Sequence, residues 1–199
     1  MSWALYVSHP EVVIDPNVPV GNWGLSEIGQ QRAKAFAAKN KLPMAIPIFS
    51  STEKKALDLA EILAQATAST ITTDPNFGEN DRSSTGFLPP EEFEKHVIEL
   101  FGKPGESVAG WESALHAQAR IVNAVKNALS SHDMAKPVVF TGHGCVGTLL
   151  KCHLAKRPVV QTEDQRETAH PGGGNVFAFD LARWNLLCDW TQMEDWQGF

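Results

Sequence analysis

The sequence predicts an α/β fold of three layers, in which helices cover both faces of a mostly parallel sheet. Short apolar segments alternate with amphipathic segments along the chain, which is typical of this class. Two apolar runs, residues 3–7 (WALYV) and 137–141 (PVVFT), carry no charge and end at polar residues or glycine, as buried strands do. With 199 residues, the chain suits one α/β domain, which we expect to span residues 1–199.

Composition and charge argue against several kinds of partner and cofactor. The net charge is −6 and the chain has no basic run, so we expect no nucleic-acid partner. The three cysteines form no CxxC pair, which argues against a disulfide framework and against a zinc site, and we expect no metal or other cofactor. No segment approaches the ~20 apolar residues that span a membrane, and no secretory leader is evident, so the sequence predicts a cytoplasmic protein without a membrane partner.

The first half of the chain is predicted to contain three strands and two helices. Pro10 ends the first strand because proline has no N–H for the sheet. A proline- and glycine-containing loop follows, and Ser26 is a suitable N-cap for the first helix. The segments predicted here are the loop 12–24, a strand at 45–50, a helix beginning at the cap Thr52 and ending near Ala66, and a strand at 70–73.

The second half is predicted to begin with a long polar loop and to end with two strands. The apolar spacing within residues 111–131 indicates a long amphipathic helix, and Glu112 is expected to be a solvated carboxylate in its first turn. The glycine run 172–174 is expected to form a flexible turn. The other segments predicted here are the loop 74–90, the helix 91–101, the strand 137–141, the helix 145–154, and the strands 176–179 and 184–190.

Two histidines occupy equivalent positions in this pattern. His9 follows the first apolar strand and His143 follows the strand 137–141, so both should lie at the carboxyl edge of one sheet. Open α/β sheets bind their ligands at that edge. His143 also stands at the start of a helix, where free N–H groups and the helix dipole favour an anion.

Four motifs come in order at suitable spacing and together resemble a known family. They are Ser8-His9-Pro10-Glu11, residues 25–29 (LSEIG), residues 50–60 (SSTEKKALDLA) and Thr141-Gly142-His143-Gly144. This set is similar to the histidine phosphatase superfamily, whose fold is that of phosphoglycerate mutase. The resemblance covers essentially the whole chain.

The resemblance implies a role for three residues. His9 would be the nucleophile, attacking phosphorus as a neutral imidazole and becoming a phosphohistidine. His143 would stabilise charge on the phosphoryl oxygens. Glu79 best matches the loop carboxylate that protonates the leaving oxygen and then deprotonates water, and Asp81 is a close competitor for this role.

The sequence departs from the family pattern in the residues that bind phosphate. Ser8 stands where an arginine normally precedes the nucleophile, and Lys55 stands where a second arginine is usual. A serine hydroxyl is neutral and lysine lacks the rigid fork of arginine, so we expect weaker phosphate affinity than is usual in the family. The predicted phosphate-binding residues are Ser8, Lys55, Gly144 and Arg82, with Arg82 or His170 as possible sources of the missing charge.

The resulting prediction is a metal-independent phosphatase that acts on a phosphorylated small molecule or a phosphoprotein. One alternative is a weakly active or non-catalytic relative that binds a phosphorylated ligand or a partner protein. The presence of serine instead of arginine at position 8 favours this alternative. Mutase activity is less favoured because the chain has little room for the necessary insertions. A cysteine hydrolase is the remaining alternative, since residues 143–147 (HGCVG) approach a nucleophile elbow on Cys145, although its first glycine is missing.

Overall fold

The structure, a computed structural model, describes residues 2–199 and contains six strands and six helices in this part of the chain. They are β1 (Trp3–Ser8), α1 (Glu27–Ala38), β2 (Ile48–Ser50), α2 (Lys54–Thr67), β3 (Ile71–Thr73), α3 (Pro90–Gly102), α4 (Ala114–Leu129), β4 (Val138–Gly142), α5 (Gly144–Ala155), α6 (Gln165–Thr168), β5 (Asn175–Asp180) and β6 (Asn185–Gln192). Short 3-10 helices lie at Val20–Asn22, Pro75–Phe77 and Gln161–Glu163.

The strands form one mixed sheet in the order β3-β2-β4-β1-β5-β6. The first four are mutually parallel, whereas β5 and β6 are antiparallel to their neighbours. The predicted class, a mostly parallel sheet with helices on both faces, is therefore confirmed. No helix within residues 2–199 combines the length and the apolar composition needed to cross a bilayer.

Both faces of the central strands are buried, as is usual where helices cover a sheet on two sides. Tyr6 and Phe140 pack on one face with side chains of α3, α4 and α5. Leu5 and Ile48 pack on the other face with side chains of α1 and α2. This alternation explains why β1 is an uninterrupted apolar run instead of an alternating one.

Several element boundaries differ from the predicted ones. The second strand begins at Ile48 instead of residue 45, because Ala45 adopts a positive φ of 55° and Pro47 has no N–H to donate. Helix α2 begins at Lys54 with Glu53 and not Thr52 as its N-cap residue, and the Ser51 hydroxyl accepts the backbone N–H of Glu53 in the turn before it.

The long helix predicted from residue 111 begins at Ala114. Ser113 is its N-cap, and its hydroxyl accepts the backbone N–H of His116. The predicted Ser26 cap of α1 is present, with its hydroxyl accepting from Gly29. The sequence pattern gave no sign of α6, whose four residues are too few for a periodic signal.

Candidate active site

His9 and His143 lie side by side at the carboxyl edge of the sheet. Strands β1 and β4 are adjacent and parallel, with Ser8 opposite Gly142, and the His9 N–H donates to the Gly142 carbonyl at 3.0 Å. The centres of the two imidazole rings are 5.3 Å apart and the rings are inclined at 73°. The structure therefore brings together the two histidines that the sequence places at equivalent strand ends.

The His9 ring has a defined tautomer. Its Nδ1 lies 2.8 Å from the carbonyl oxygen of Pro10, which can only accept a hydrogen bond, so Nδ1 carries the proton. The lone pair is then on Nε2. Burial lowers the pKa of His9 from 6.5 to about 4, which leaves the imidazole neutral at pH 7.

The turn at Gly173 and Gly174 holds the backbone of His9 in place. Gly173 and Gly174 have positive φ angles of 76° and 67°, and the N–H of Gly174 donates to the His9 carbonyl at 3.0 Å. A Cβ atom at Gly173 would collide with that same carbonyl oxygen. This turn, expected from the sequence to be flexible, is instead packed closely against the histidine.

His143 is fully buried at the N-terminus of α5. The Tyr6 hydroxyl donates to its backbone carbonyl and accepts its backbone N–H, both at 3.0 Å. Its Nε2 lies 2.9 Å from the Ser51 hydroxyl and 3.4 Å from Oε1 of Glu53, while Nδ1 has no partner within residues 2–199. Burial holds the pKa of His143 well below 6.5.

Glu79 occupies the N-terminus of α5. Its carboxylate accepts the backbone N–H groups of Asn80, Cys145 and Val146 at 2.9, 3.2 and 3.0 Å. Burial raises the pKa of Glu79 and outweighs the opposing effect of these donors. A carboxyl group of raised pKa suits proton donation, whereas the competing Asp81 is exposed and its carboxylate accepts the N–H of Ser83.

An ion pair that sequence reasoning missed holds the Glu79 loop. Arg120 pairs with Glu112 at 2.7 Å and donates to the carbonyl oxygens of Asn76, Gly78 and Glu79. The Glu112 side chain is 9% exposed, so it is not the solvated carboxylate that its position near a helix start suggested. Its separation of eight residues from Arg120 was the only sequence signal.

Glu53 is a second residue that sequence reasoning missed. Its carboxylate pairs with Lys55 at 2.6 Å, accepts the Glu79 N–H at 2.8 Å, and approaches His143. Burial works against ionisation of Glu53, but the charge of Lys55 and the hydrogen bonds from Lys55 and the Glu79 N–H prevail and lower its pKa. Lys55 is itself buried and also donates to the Val20 carbonyl, so the charge predicted to bind phosphate is neutralised internally.

Ser8 forms part of a buried hydrogen-bond network instead of facing the cavity. Its hydroxyl donates to Oε1 of Gln165 at 2.6 Å and accepts the Asn175 N–H at 3.0 Å. The Asn175 amide donates to the same Oε1 at 3.0 Å. Two donors on one oxygen orient the Gln165 amide, which leaves its NH₂ group for other partners.

Gly144 makes room for that amide. A Cβ atom at Gly144 would collide with Nε2 of Gln165, whose amide is held by Ser8 and Asn175, so this contact and not its own φ angle favours glycine after His143. Gln165 lines the cavity, and no hydrogen-bond partner for its Nε2 is found within residues 2–199. Gln165 is thus a neutral donor at the site that no sequence motif indicated.

A cavity of about 430 Å³ opens in front of these residues. Its wall includes His9, Lys55, Glu79 and Arg82, together with Gly144 and Gln165. Ser8 and His143 are completely buried and form no part of the wall. His170 also lies outside the wall, where its Nδ1 is 3.3 Å from Arg32.

Cys145 lines the cavity but is poorly suited to act as a nucleophile. Burial, followed by the nearby charges of Glu79 and Asp164, raises the pKa of the thiol well above 9.0. The thiolate, which is the reactive form of cysteine, is therefore scarce at neutral pH. Within residues 2–199, no cluster of three or more His, Cys, Asp or Glu side chains has an arrangement that could hold a metal ion.

Comparison with known proteins identifies relatives of this fold. A family model described as the histidine phosphatase superfamily (branch 1) matches residues 18–188. A mycobacterial glucosyl-3-phosphoglycerate phosphatase superposes with a TM-score of 0.77 at 18% identity, covering 96% of this chain and 98% of that one. Its complex with inorganic phosphate gives 0.75 at 20% identity, covering 95% and 96%. YhfR of Bacillus stearothermophilus gives 0.74 at 18% identity, covering 94% and 95%.

At these identities the solved structures establish the fold. No curated protein sequence matches the chain significantly. The family model begins after His9, so the role of that histidine depends on its position in the structure. Because the family model covers most of the chain, and because the solved structures share its fold over nearly their full length, the chain belongs to the histidine phosphatase superfamily.

Proposed function

We propose that this protein is a phosphatase that hydrolyses a phosphomonoester through a phosphohistidine on His9. The observation that carries the proposal is the state of that residue. Its Nδ1 is protonated against the Pro10 carbonyl, its pKa is lowered to about 4, and its ring forms part of the cavity wall beside His143. A neutral imidazole with a free lone pair is a competent nucleophile.

The proposed reaction has two steps. In the first, Nε2 of His9 bonds to phosphorus, the ester P–O bond breaks, and the leaving oxygen takes the proton of the Glu79 carboxyl group. In the second, water attacks the phosphohistidine, Glu79 accepts its proton, and the N–P bond breaks to release phosphate. Burial raises the pKa of Glu79, which favours the protonated form that donates in the first step.

Four groups on the cavity wall are assigned to the phosphoryl oxygens. Lys55 and Arg82 supply positive charge, whereas Gln165 and the N-terminal region of α5 at Gly144 supply neutral N–H donors. Within residues 2–199 no carboxylate pairs with Arg82, whose guanidinium stacks on Phe93 at 4.7 Å. His143, which is not part of the wall, is assigned to stabilise the charge that develops on the phosphoryl group once that group displaces Glu53 from its Nε2.

A non-catalytic, phosphate-binding or partner-binding role is the second candidate. One observation favours it: the Glu53 carboxylate already neutralises Lys55 and lies 3.4 Å from His143. A phosphoryl group must compete with this internal anion for both partners. If Glu53 stays paired, Lys55 and His143 are not free to stabilise the phosphoryl group in the transition state, which would slow hydrolysis more than binding through the other wall residues.

The test is to measure hydrolysis of p-nitrophenyl phosphate by the parent and by His9→Ala, with His132→Ala as a matched control. His132 lies on the loop between α4 and β4, at the opposite end of β4 from His143. We expect His9→Ala to fall to background and His132→Ala to match the parent. A phosphoenzyme that is acid-labile and base-stable is expected in the parent alone.

Retention of most activity by His9→Ala would contradict the nucleophile assignment. Loss of activity on replacing Cys145 by Ser, with His9→Ala still active, would favour the cysteine alternative. Activity in neither protein, together with phosphate binding by calorimetry, would favour the non-catalytic candidate. We also expect activity to persist in EDTA, since every proposed step uses side chains of this chain.

A further inference from the structure

The cavity continues from His9 into a region whose walls are apolar. On one side, α3 places Phe93, Val97 and Phe101 at helical spacing toward the cavity, and Trp111 lies beside them. These side chains are continuous with the hydrophobic core on that face of the sheet. This part of the wall is therefore apolar and packed against the core.

The segment after β1 supplies further apolar side chains of the wall, Ile14, Val20 and Trp23. Ile14 is 61% exposed, although it is a large apolar side chain. Trp23 is fixed by its indole N–H, which donates to the carbonyl oxygens of Asp15 and Val18 at 3.0 Å. An exposed apolar residue at the rim of a cavity is a surface that a ligand can cover.

The polar groups around this apolar region are mostly engaged already. The Trp111 indole N–H donates to the Thr85 hydroxyl at 2.9 Å, and the Asn80 amide donates to the Glu112 carbonyl. Arg166 pairs with Glu94 at 2.8 Å. Hydroxyl groups of a sugar would therefore lose water here without gaining partners, which disfavours their binding.

We propose that the group esterified to the phosphate is apolar, an alkyl or aryl alcohol instead of a sugar or a polyol. This inference rests on the proposed function, because it assigns the leaving group of the same reaction. The phosphoryl group contacts His9, and the apolar group lies between α3 and the loop that carries Ile14. Arg82, stacked on Phe93, stands at the junction of the two regions.

The experiment measures binding of n-alkylphosphonates to the full chain by calorimetry, with tails from methyl to octyl. Each added methylene is expected to tighten binding about fourfold until the cavity is filled. Phosphonates cannot be hydrolysed, so this measurement is independent of turnover. In parallel, kcat/KM is compared for propyl phosphate and glycerol 3-phosphate, which have equal carbon number and similar leaving oxygens, and propyl phosphate is expected to be preferred.

Two variants and one matched control test which residues contact the alkyl tail of the phosphonate. Ile14→Asn and Phe93→Ser are each expected to reduce the gain per methylene. Val13→Asn changes the neighbouring residue, which is 55% exposed and is not part of the wall, and it should leave the gain unchanged. Ile14 and Val13 are both exposed, so neither change threatens the core.

Each outcome of these experiments supports or overturns the proposal of an apolar leaving group. Equal affinity for methyl- and octylphosphonate, or a preference for glycerol 3-phosphate, would overturn the proposal. If neither Ile14→Asn nor Phe93→Ser reduces the gain in affinity per methylene, the alkyl tail does not contact the residues assigned to it. A gain that depends on these residues, with no ester hydrolysed, would retain the apolar site and refute the phosphatase proposal instead.

Discussion

The lowered pKa values of His9 and His143 make the stability of the fold depend on pH, and the size of the effect can be calculated for His9. The pKa of His9 is lowered by burial from 6.5 to about 4 in the folded protein. Between these two values the unfolded chain binds a proton that the folded chain does not. The free energy of unfolding therefore falls as the pH falls.

Linkage gives the size of this effect. A shift from 6.5 to about 4 means that His9 alone removes about 2 kcal/mol of stability between about pH 7.5 and pH 5.0. The pKa of His143 is also lowered, so it contributes in the same direction. His9→Asn removes one of the two titrations, and its stability should decline less steeply with acidification than that of the parent.

The assay is urea unfolding followed by circular dichroism at the two pH values. We expect the loss of stability in His9→Asn to be smaller than in the parent by about 2 kcal/mol. His132→Asn is the control, since it removes a histidine outside the site, and it should retain the slope of the parent. Equal pH dependence in His9→Asn and the parent would show that His9 is not held neutral by burial.

Three further predictions concern the polar residues of the site. Glu79→Gln should lower turnover of an alkyl phosphate by about 10²–10⁴ and that of p-nitrophenyl phosphate much less, because nitrophenolate needs little protonation; equal losses would contradict the acid role. Glu53→Gln should free Lys55 and tighten inorganic phosphate binding about tenfold or more by calorimetry, and unchanged affinity would show that Lys55 does not reach phosphate. Ser8→Ala should leave the buried Asn175 N–H without an acceptor and cost about 1–3 kcal/mol in urea unfolding, whereas a loss near zero would mean that water replaces the hydroxyl.

The sequence correctly places His9 and His143 at the carboxyl edge of the sheet, because local signals determine that position. Proline after β1 and glycine around His143 end two buried strands, and parallel strands of one sheet share a carboxyl edge. The fold class likewise follows from the alternation of apolar and amphipathic segments. Such signals lie within a few residues of the feature they predict.

Signals from neighbouring residues could not predict the polar contacts of the site. Ser8 bonds to Gln165, which is 157 residues away along the chain, so its neighbour could be named only once the tertiary packing was known. The sequence assigned Ser8 to phosphate by its place next to His9, and the structure places its hydroxyl in a closed network. Glu53 was overlooked for a similar reason, since a single acid in a helix start resembles an ordinary solvated carboxylate.

The charge balance of the site connects these observations. The two positions where the sequence predicts an anion are already occupied by carboxyl groups of this chain. Glu53 neutralises Lys55, and Glu79 accepts the first N–H groups of α5. Phosphate alone must compete with both, which agrees with the weak phosphate affinity expected from the absence of an arginine at position 8.

An enzyme with weak phosphate binding needs binding energy from elsewhere in its substrate. Contacts to a non-reacting part of a substrate can offset the cost of placing its reacting group. The apolar walls beyond His9 offer such contacts to a leaving group, whereas free phosphate gains nothing from them. A site of this kind would bind its apolar ester more tightly than the phosphate it releases, so discrimination between substrate and product would come from the tail and not from the phosphoryl group.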